Sequence, residues 1–138
     1  GPAYVERYKL TPEQAVNVIV AAGGLPVLAH PLNAEEHEYG ESLDLPQTIP
    51  PLVRAGLVGI EVYYDGYTEQ DKTYLLSLAR EWNLVPTGGS DFHGRDALGS
   101  GIGEVYVPPQ SARDLKRLYL EMRRQRRGKG PVAGRLKS

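Results

Sequence analysis

Cysteine is absent from the 138 residues of this chain, and its absence limits the sites that the chain can build. Disulfide bonds and thiolate metal ligands are excluded, so histidine and carboxylate side chains remain as metal ligands. Long apolar runs are also absent, since none approaches the roughly 18–20 residues of a membrane-spanning helix. The first residues show no charged segment followed by an apolar one. We therefore expect no transmembrane helix, no visible export signal and a cytoplasmic location.

Basic side chains are scarce over most of the chain and concentrated at its end. Residues 1–112 carry 6 basic and 15 acidic side chains, a net charge of −9, whereas residues 113–138 carry 10 basic and 2 acidic ones, a net charge of +8. The length suits one domain, and the 41% apolar and 24% charged residues are ordinary globular usage. The asymmetry predicts an acidic body, residues 1–110, and an amphipathic helix with a basic tail, residues 111–138.

Two helices are indicated by start signals followed by a helical period. Thr11, followed by Pro12 and by Gln14 three residues after it, is typical of a capped helix start. Thr68 with Asp71 repeats that signal. The spacing predicts two buried stripes, the first with Ala15, Val18, Ile19 and Ala22 and the second with Leu75, Leu78, Ala79 and Trp82.

Two further helices complete the prediction. A short one is expected over about residues 46–55, ending at Gly56. The last is expected to open at Ser111. Its predicted buried stripe contains Leu115, Leu118, Tyr119 and Met122.

Short apolar runs of strand length lie between these helices. They lack polar alternation, which favours strands covered on both faces. The resulting order, α-β-α-β-α-β-β-α, predicts an α/β fold with parallel strands flanked by helices. The four expected strands cover residues 25–29, 58–63, 84–87 and 102–107.

Polar side chains recur at or near the ends of three of these strands. His30, Glu61 and Asp91 are separated by 31 and 30 residues, the length of one strand-plus-helix unit. The spacing fits both a β/α barrel and an open, doubly wound sheet. Three units cannot close a barrel, so the chain is either an open sheet or part of a larger domain.

The segment Asp91-Phe92-His93 follows the third strand and carries two metal-ligand side chains. In an extended Asp-x-His segment, both side chains lie on the same side of the chain. Together with His30 they predict a divalent metal site, for which Zn, Mn or Fe suits these ligands better than Mg. The alternatives are a structural histidine at a strand end and an aspartate that stabilises a turn.

Three segments, in this order, resemble the C-terminal half of a PHP (polymerase and histidinol phosphatase) domain. They are Gly-Gly-Leu-Pro-Val-Leu-Ala-His-Pro ending at Pro31, Gly-Ile-Glu-Val-Tyr ending at Tyr63, and Gly-Gly-Ser-Asp-Phe-His-Gly ending at Gly94. The resemblance is greatest to TrpH/YciV-like metal-dependent phosphoesterases. It implies part of a distorted (β/α)7 barrel that binds divalent metals and hydrolyses phosphate esters of the nucleotide or oligonucleotide type. By the same resemblance, His30, Asp91 and His93 are metal ligands, and Glu61 lies near the site without binding metal directly.

The sequence departs from that family in lacking the His-x-His motif of the first half. The remaining histidine, His37, lies among glutamates. We therefore interpret residues 1–110 as the second half of such a domain, followed by the helix and basic tail of residues 111–138. We expect weak metal binding and little or no activity from this chain alone. A half barrel exposes strand edges, which predicts self-association.

The basic tail suggests an alternative, non-catalytic function. Arg123, Arg124, Arg126, Arg127 and Lys129 form a dense cluster that could contact nucleic-acid phosphates. The competing interpretation is a solvated extension that only aids solubility. The alternative to a phosphoesterase is thus an oligomerisation or nucleic-acid-binding module derived from a PHP domain.

Overall fold

A computed structural model shows four helices and a three-stranded sheet in the residues that it describes, 9–33, 42–94 and 99–129. Helices and strands alternate along the whole of this order, which begins and ends with a helix. In chain order the elements are α1 Pro12–Ala21, β1 Val27–Leu28, α2 Leu45–Ala55, β2 Gly59–Tyr63, α3 Glu69–Glu81, β3 Val85–Gly88 and α4 Pro109–Gly128.

The sheet is parallel, with the strand order β1-β2-β3. Gly59 lies opposite Val27 on one side and Val85 on the other. A Cβ at this glycine would lie only 3.0 Å from the carbonyl oxygen of Val85, so the three strands approach closely there. The predicted α/β fold with parallel strands flanked by helices is confirmed.

The hydrophobic core lies between the helices and one face of the sheet. Ile60 and Val62 of β2 are fully buried on this face, whereas the intervening Glu61 is only partly buried. This alternation follows from the two-residue period of a strand. Glu61 is thereby placed outside the helix-covered core. The core residues from the helices are Val16, Leu45, Ile49, Leu52, Leu75, Leu78 and Ala79.

The predicted helix caps at Thr11 and Thr68 are confirmed. Each threonine hydroxyl accepts a hydrogen bond from the backbone N–H three residues later, and the side chain there accepts one from the threonine N–H. Helix α2 is followed by its cap residue Gly56, whose φ of 121° is a conformation that glycine adopts readily. These local signals set the boundaries of the three helices that form the core.

The predicted buried stripe of α1 is wrong. Val16 is the buried residue of this helix, while Val18 and Ile19 are 54% and 39% exposed. Helix α1 packs against α2, and Val20 is its second contact with the core. Residues 15–22 are apolar except at Asn17, so their period does not distinguish one face from another.

The predicted strand over residues 102–107 is also wrong, because that segment forms a turn. The Glu104 N–H donates to the carbonyl of Gly101, and the Glu104 carboxylate accepts from the Gly101 N–H at 2.7 Å. Gly103 has a φ of 79°.

The last helix begins earlier than predicted. It starts at Pro109, and Ser111 is a buried residue of its first turn rather than its cap. Of its predicted stripe, Leu115, Leu118 and Met122 are partly buried and Tyr119 is exposed. The division between residues 110 and 111 stays a prediction.

No helix in the described parts of the chain is both long enough and apolar enough to cross a bilayer. His37 and the segments 1–8 and 130–138 lie outside the described residues.

Candidate functional site

The carboxyl ends of the parallel strands bring His30 and Asp91 together, as their spacing predicts. His30 lies two residues beyond β1, and Asp91 lies three residues beyond β3. His30 Nε2 is 3.7 Å from Asp91 Oδ2, and the two side chains are 25% and 27% exposed. Two residues 61 positions apart in the chain therefore form one partly buried, solvent-accessible pair.

The distance between these atoms fits two ligands of one metal ion. Nitrogen and oxygen ligands lie about 2.1 Å from a zinc-like ion, which at a tetrahedral angle separates them by about 3.4 Å. The observed 3.7 Å is close to that separation and too long for a direct hydrogen bond. The imidazole and carboxylate groups also suit zinc, manganese and iron.

His93 lies beside this pair but faces its own backbone. Its Nδ1 is 2.5 Å from the carbonyl oxygen of Asp91 and 3.6 Å from Asp91 Oδ1. A carbonyl can only accept a hydrogen bond, so Nδ1 is the donor, and in the neutral imidazole the lone pair is then on Nε2. The side chain is 70% exposed. Its Nε2 is thus the atom available to a ligand.

The expected extended geometry of the Asp-x-His segment is wrong. Asp91 has a φ of 52°, in the left-handed region, and this turns His93 back toward the Asp91 carbonyl. His30 also has a positive φ, of 30°. Among the described non-glycine residues, the third such case is Asn83, just beyond the end of α3. Strained backbone of this kind concentrates at functional sites.

Glu61 supports His30 through the backbone. Glu61 Oε2 accepts a hydrogen bond of 2.7 Å from the His30 N–H, linking β2 to the residue after β1. One carboxylate oxygen is therefore committed to holding the strained His30 backbone in place. The sequence places Glu61 near the site, but it carries no signal for this particular bond.

Two tyrosines form one wall of the site. The ring centroid of Tyr64 lies 6.3 Å from that of His30 and 5.1 Å from that of Tyr67, which it meets edge-on. The Tyr67 hydroxyl accepts a hydrogen bond of 3.2 Å from the Leu32 N–H. Burial raises the pKa of Tyr67 to about 12, although the Leu32 hydrogen bond acts in the opposite direction. Tyr67 thus joins the loops that follow β1 and β2.

A cavity of about 320 Å³ adjoins this wall. The loop after β3 borders it and is tied to the end of β2 by Ser100, whose hydroxyl donates to Asp65 Oδ2 at 2.5 Å. Neither residue is among those predicted to form the site. The lining residues are Tyr63, Tyr64, Asp65, Glu69, Lys72, Glu104, Val105 and Tyr106.

The three predicted ligands lie close together, but they do not form a ready-made metal centre. Within residues 9–33, 42–94 and 99–129, no group of three or more histidine, aspartate or glutamate side chains is arranged to hold an ion. His30 and Asp91 fit two ligand positions, and His93 would need to redirect its ring to supply a third. The arrangement is thus an incomplete ligand set.

The chain is similar to two curated proteins whose names specify phosphate-ester substrates. No family model matches the chain. It is 43% identical over 81 residues to the phosphoribosyl 1,2-cyclic phosphate 1,2-diphosphodiesterase of Eggerthella lenta, covering 59% of this chain and 28% of that protein. It is 32% identical over 116 residues to the 3',5'-nucleoside bisphosphate phosphatase of Chromobacterium violaceum, covering 84% of this chain and 39% of that protein.

Solved structures share the fold as well. A structure described as that of a metal-dependent phosphoesterase from Bifidobacterium adolescentis superimposes with a TM-score of 0.69 at 27% identity, over 81% of this chain and 38% of that one. The chain is related to the PHP-type metal-dependent phosphoesterases. An amidohydrolase from Chromobacterium violaceum, solved with bound sulfate and no metal, matches with a TM-score of 0.61 at 31% identity. That match covers 83% of this chain and 39% of the amidohydrolase.

The resemblance read from the three motif segments is therefore confirmed. The chain spans about 28% and 39% of the length of the two curated relatives. It also spans about two-fifths of the two solved structures. The α/β sheet described here corresponds to part of the PHP-type and amidohydrolase-type barrels.

Proposed function

We propose that the carboxyl edge of this sheet is part of a divalent-metal-dependent phosphoesterase site, in which His30, Asp91 and His93 bind the metal. The observation that carries the proposal is the 3.7 Å separation of His30 Nε2 and Asp91 Oδ2, brought together from two strands. The metal-dependent phosphoesterases and phosphatases among its relatives support it. The donor set favours Mn, Zn or Fe over Mg.

The substrate class we propose is a phosphate ester of the nucleotide or oligonucleotide type. Support comes from the two curated relatives, whose names specify a phosphoribosyl cyclic phosphate and a nucleoside bisphosphate. A divalent ion, when bound, supplies charge that neutralises phosphate oxygens and lowers the pKa of a coordinated water. The chain's own residues position these ligands to different degrees. Glu61 holds the His30 backbone in place, whereas the His93 ring is turned toward the Asp91 carbonyl and would redirect to reach the metal.

Titration of the 138-residue chain with Mn²⁺ or Zn²⁺, with elemental analysis, tests the metal site. We expect His30→Ala and Asp91→Ala each to weaken binding by at least about tenfold, and His93→Ala to weaken it as well. Glu61→Ala should weaken binding, whereas Glu61→Gln should preserve it because an amide oxygen can still accept from the His30 N–H. His37→Ala is the matched control, since it removes the one histidine of the chain that is not a proposed ligand. Equal loss in the control, or unchanged binding in the first two variants, would contradict the site.

Linkage between metal and phosphate tests the substrate class separately. A nucleoside monophosphate that binds at this site should raise the affinity for Mn²⁺, and Mn²⁺ should raise the affinity for the nucleotide by the same factor. A metal affinity that does not change with nucleotide would contradict the phosphate-ester assignment and leave the metal site standing.

We further propose that this chain alone hydrolyses phosphate esters slowly or not at all. The incomplete ligand set in the described residues supports this, because tight metal binding requires all ligands in place. Phosphate release from a nucleoside 3',5'-bisphosphate in saturating Mn²⁺ is the direct test. Turnover in the ordinary enzymatic range, about 1 per second or more, would refute it.

Self-association through the strand edges is also proposed. The outer strands β1 and β3 have only two and four described residues, and β3 contains Pro86, which has no N–H to donate. Such edges favour weak pairing, so sedimentation should show a dimer only at high protein concentration. A monomer at all concentrations would contradict this proposal. The cytoplasmic location stays a prediction.

A further inference from the structure

Helix α4 carries six exposed basic side chains on the side turned away from the sheet. Its partly buried residues, which include Leu115, Leu118 and Met122, lie on the opposite side. The basic residues recur at intervals of three, four and seven, the spacing of one helical face. We call this set the basic stripe, and its members are Arg113, Lys116, Arg117, Arg123, Arg124 and Arg127.

The stripe is long and poorly neutralised. It extends over 15 residues, about 21 Å of helix. The two acidic residues of α4 are Asp114 and Glu121, and Asp114 pairs with Arg117 at 2.8 Å. Among the described residues, no carboxylate forms an ion pair with the other five members of the stripe.

Neighbouring side chains hold some of these cations in place. Arg113 Nε donates to Gln110 Oε1 at 3.1 Å, and the Arg123 guanidinium lies 5.8 Å from the centroid of the Tyr119 ring. Arg126, which belongs to the dense cluster in the sequence, is not part of the stripe. Its guanidinium instead donates to the carbonyls of Val20 and Ala21 at the end of α1. The exposed basic surface therefore extends along α4 from Arg127 to Arg113 and is not confined to the C-terminal end of the helix.

We propose that the basic stripe binds the phosphodiester backbone of single-stranded nucleic acid. Five of its six cations are arginines, whose planar guanidinium can donate two hydrogen bonds to one phosphate. Leu120 is the apolar residue within the stripe, and it is 41% exposed. A membrane-binding helix needs a broad apolar face, and the apolar face of α4 is turned toward the protein. Tyr119 is the aromatic residue of α4, and its ring lies against the Arg123 guanidinium, whereas protein interfaces usually bury a cluster of such anchors. This proposal does not depend on the metal site.

Binding of a short, mixed-sequence single-stranded RNA, followed by fluorescence anisotropy at several salt concentrations, is the test. Each phosphate contact contributes a slope of about −0.7 to log K against log salt, so five contacts predict a slope of about −3.5. Arg124→Gln with Arg127→Gln should weaken binding about 25-fold at roughly 0.1 M salt and flatten the slope. Arg124→Lys with Arg127→Lys keeps the charge and should retain most of the affinity.

The matched control removes the same charge elsewhere. Arg54→Gln with Arg80→Gln changes two exposed arginines on α2 and α3, and it should leave RNA binding within about twofold of the unchanged chain. Far-ultraviolet circular dichroism confirms that each variant is folded. Absence of RNA binding at low salt, an equal loss in the control, or binding to anionic vesicles without binding to RNA would each overturn the proposal. Comparing single-stranded RNA with single-stranded DNA then shows which of the two nucleic acids the stripe binds more tightly.

Discussion

Helices α3 and α4 both follow a strand of the sheet, yet they relate to the core in opposite ways. The 13 residues of α3 bury Leu75, Leu78 and Ala79 against β2 and β3. The 20 residues of α4 bury only Ser111 among their described side chains, although the helix also packs against β3. Length and helical period therefore do not determine how much a helix contributes to stability.

This difference in burial indicates different roles for the two helices. Helix α3 fixes the two strands that present Glu61 and Asp91, so the site geometry depends on its packing. Most of the exposed surface of helix α4 carries charged side chains. These contribute little to the free energy of unfolding, but their electric field attracts an anionic partner. We expect substitutions in α3 and its strands to unfold the chain and change the site, and substitutions in the basic stripe to change binding alone.

Leu75→Ala is the variant with the largest expected effect. Leu75 is fully buried, and its truncation leaves a cavity between α3 and the sheet. Such changes lower the free energy of unfolding by about 2–5 kcal/mol. Leu120→Ala, at the 41% exposed leucine of α4, should change it by less than about 0.5 kcal/mol. Urea denaturation measures both. Equal effects would mean that α4 is packed as tightly as α3.

Gly88→Ala comes next, because it places a methyl group against β2. A Cβ at Gly88 would lie 2.5 Å from the Cβ of Tyr63, whereas a Cβ at Gly89 would meet nothing within 4 Å. Overpacking of this kind costs about 1–3 kcal/mol. We expect Gly88→Ala to lower the urea midpoint and weaken Mn²⁺ binding, since Asp91 follows closely. Gly89→Ala should do neither, and identical behaviour of the two variants would rule out the close approach of β2 and β3.

The features that the sequence predicts correctly are local or depend on repeated geometry. The capping boxes at Thr11 and Thr68 are contained within four residues each, and the stripe of α3 has polar residues on its other side. The approach of His30 to Asp91 follows from parallel strands whose carboxyl ends meet at one edge of the sheet.

The features that were missed depend on tertiary partners or on local turns of the backbone. The face of α1 is chosen by α2, not by the helix's own sequence, which is apolar on nearly all sides. Residues 102–107 form a short, mostly apolar run of strand length, but Glu104 closes a turn on Gly101. The bond from the His30 N–H to Glu61 and the left-handed backbone of Asp91 have no counterpart in residue spacing.

The buried hydroxyl group of Tyr67 makes the stability of the chain depend on pH above 10. The pKa of Tyr67 is raised from 10.0 to about 12, chiefly by burial, so folding favours its protonated form. Its contribution to stability is therefore complete below pH 10 and is lost as the pH rises from 10 toward 12. Ultraviolet titration of the tyrosines should show a late step that Tyr67→Phe removes and Tyr119→Phe leaves in place. If the late step persists in Tyr67→Phe, the buried phenol is not its source.

Arg126→Ala should lower stability less than Leu75→Ala, and it tests how α4 is held to the body. The guanidinium donates to the carbonyls of Val20 and, at 2.9 Å, of Ala21, where α1 has no basic residue in its last turn. A cation at the C-terminal end of a helix also interacts favourably with the helix dipole. Because this contact is exposed, we expect its loss to cost about 1 kcal/mol, with faster hydrogen exchange at the end of α1. Arg127→Ala, one residue further along α4, should leave stability unchanged and weaken only RNA binding. The opposite result, with stability lost at Arg127 and retained at Arg126, would mean that the stripe packs against the body and is not a free surface.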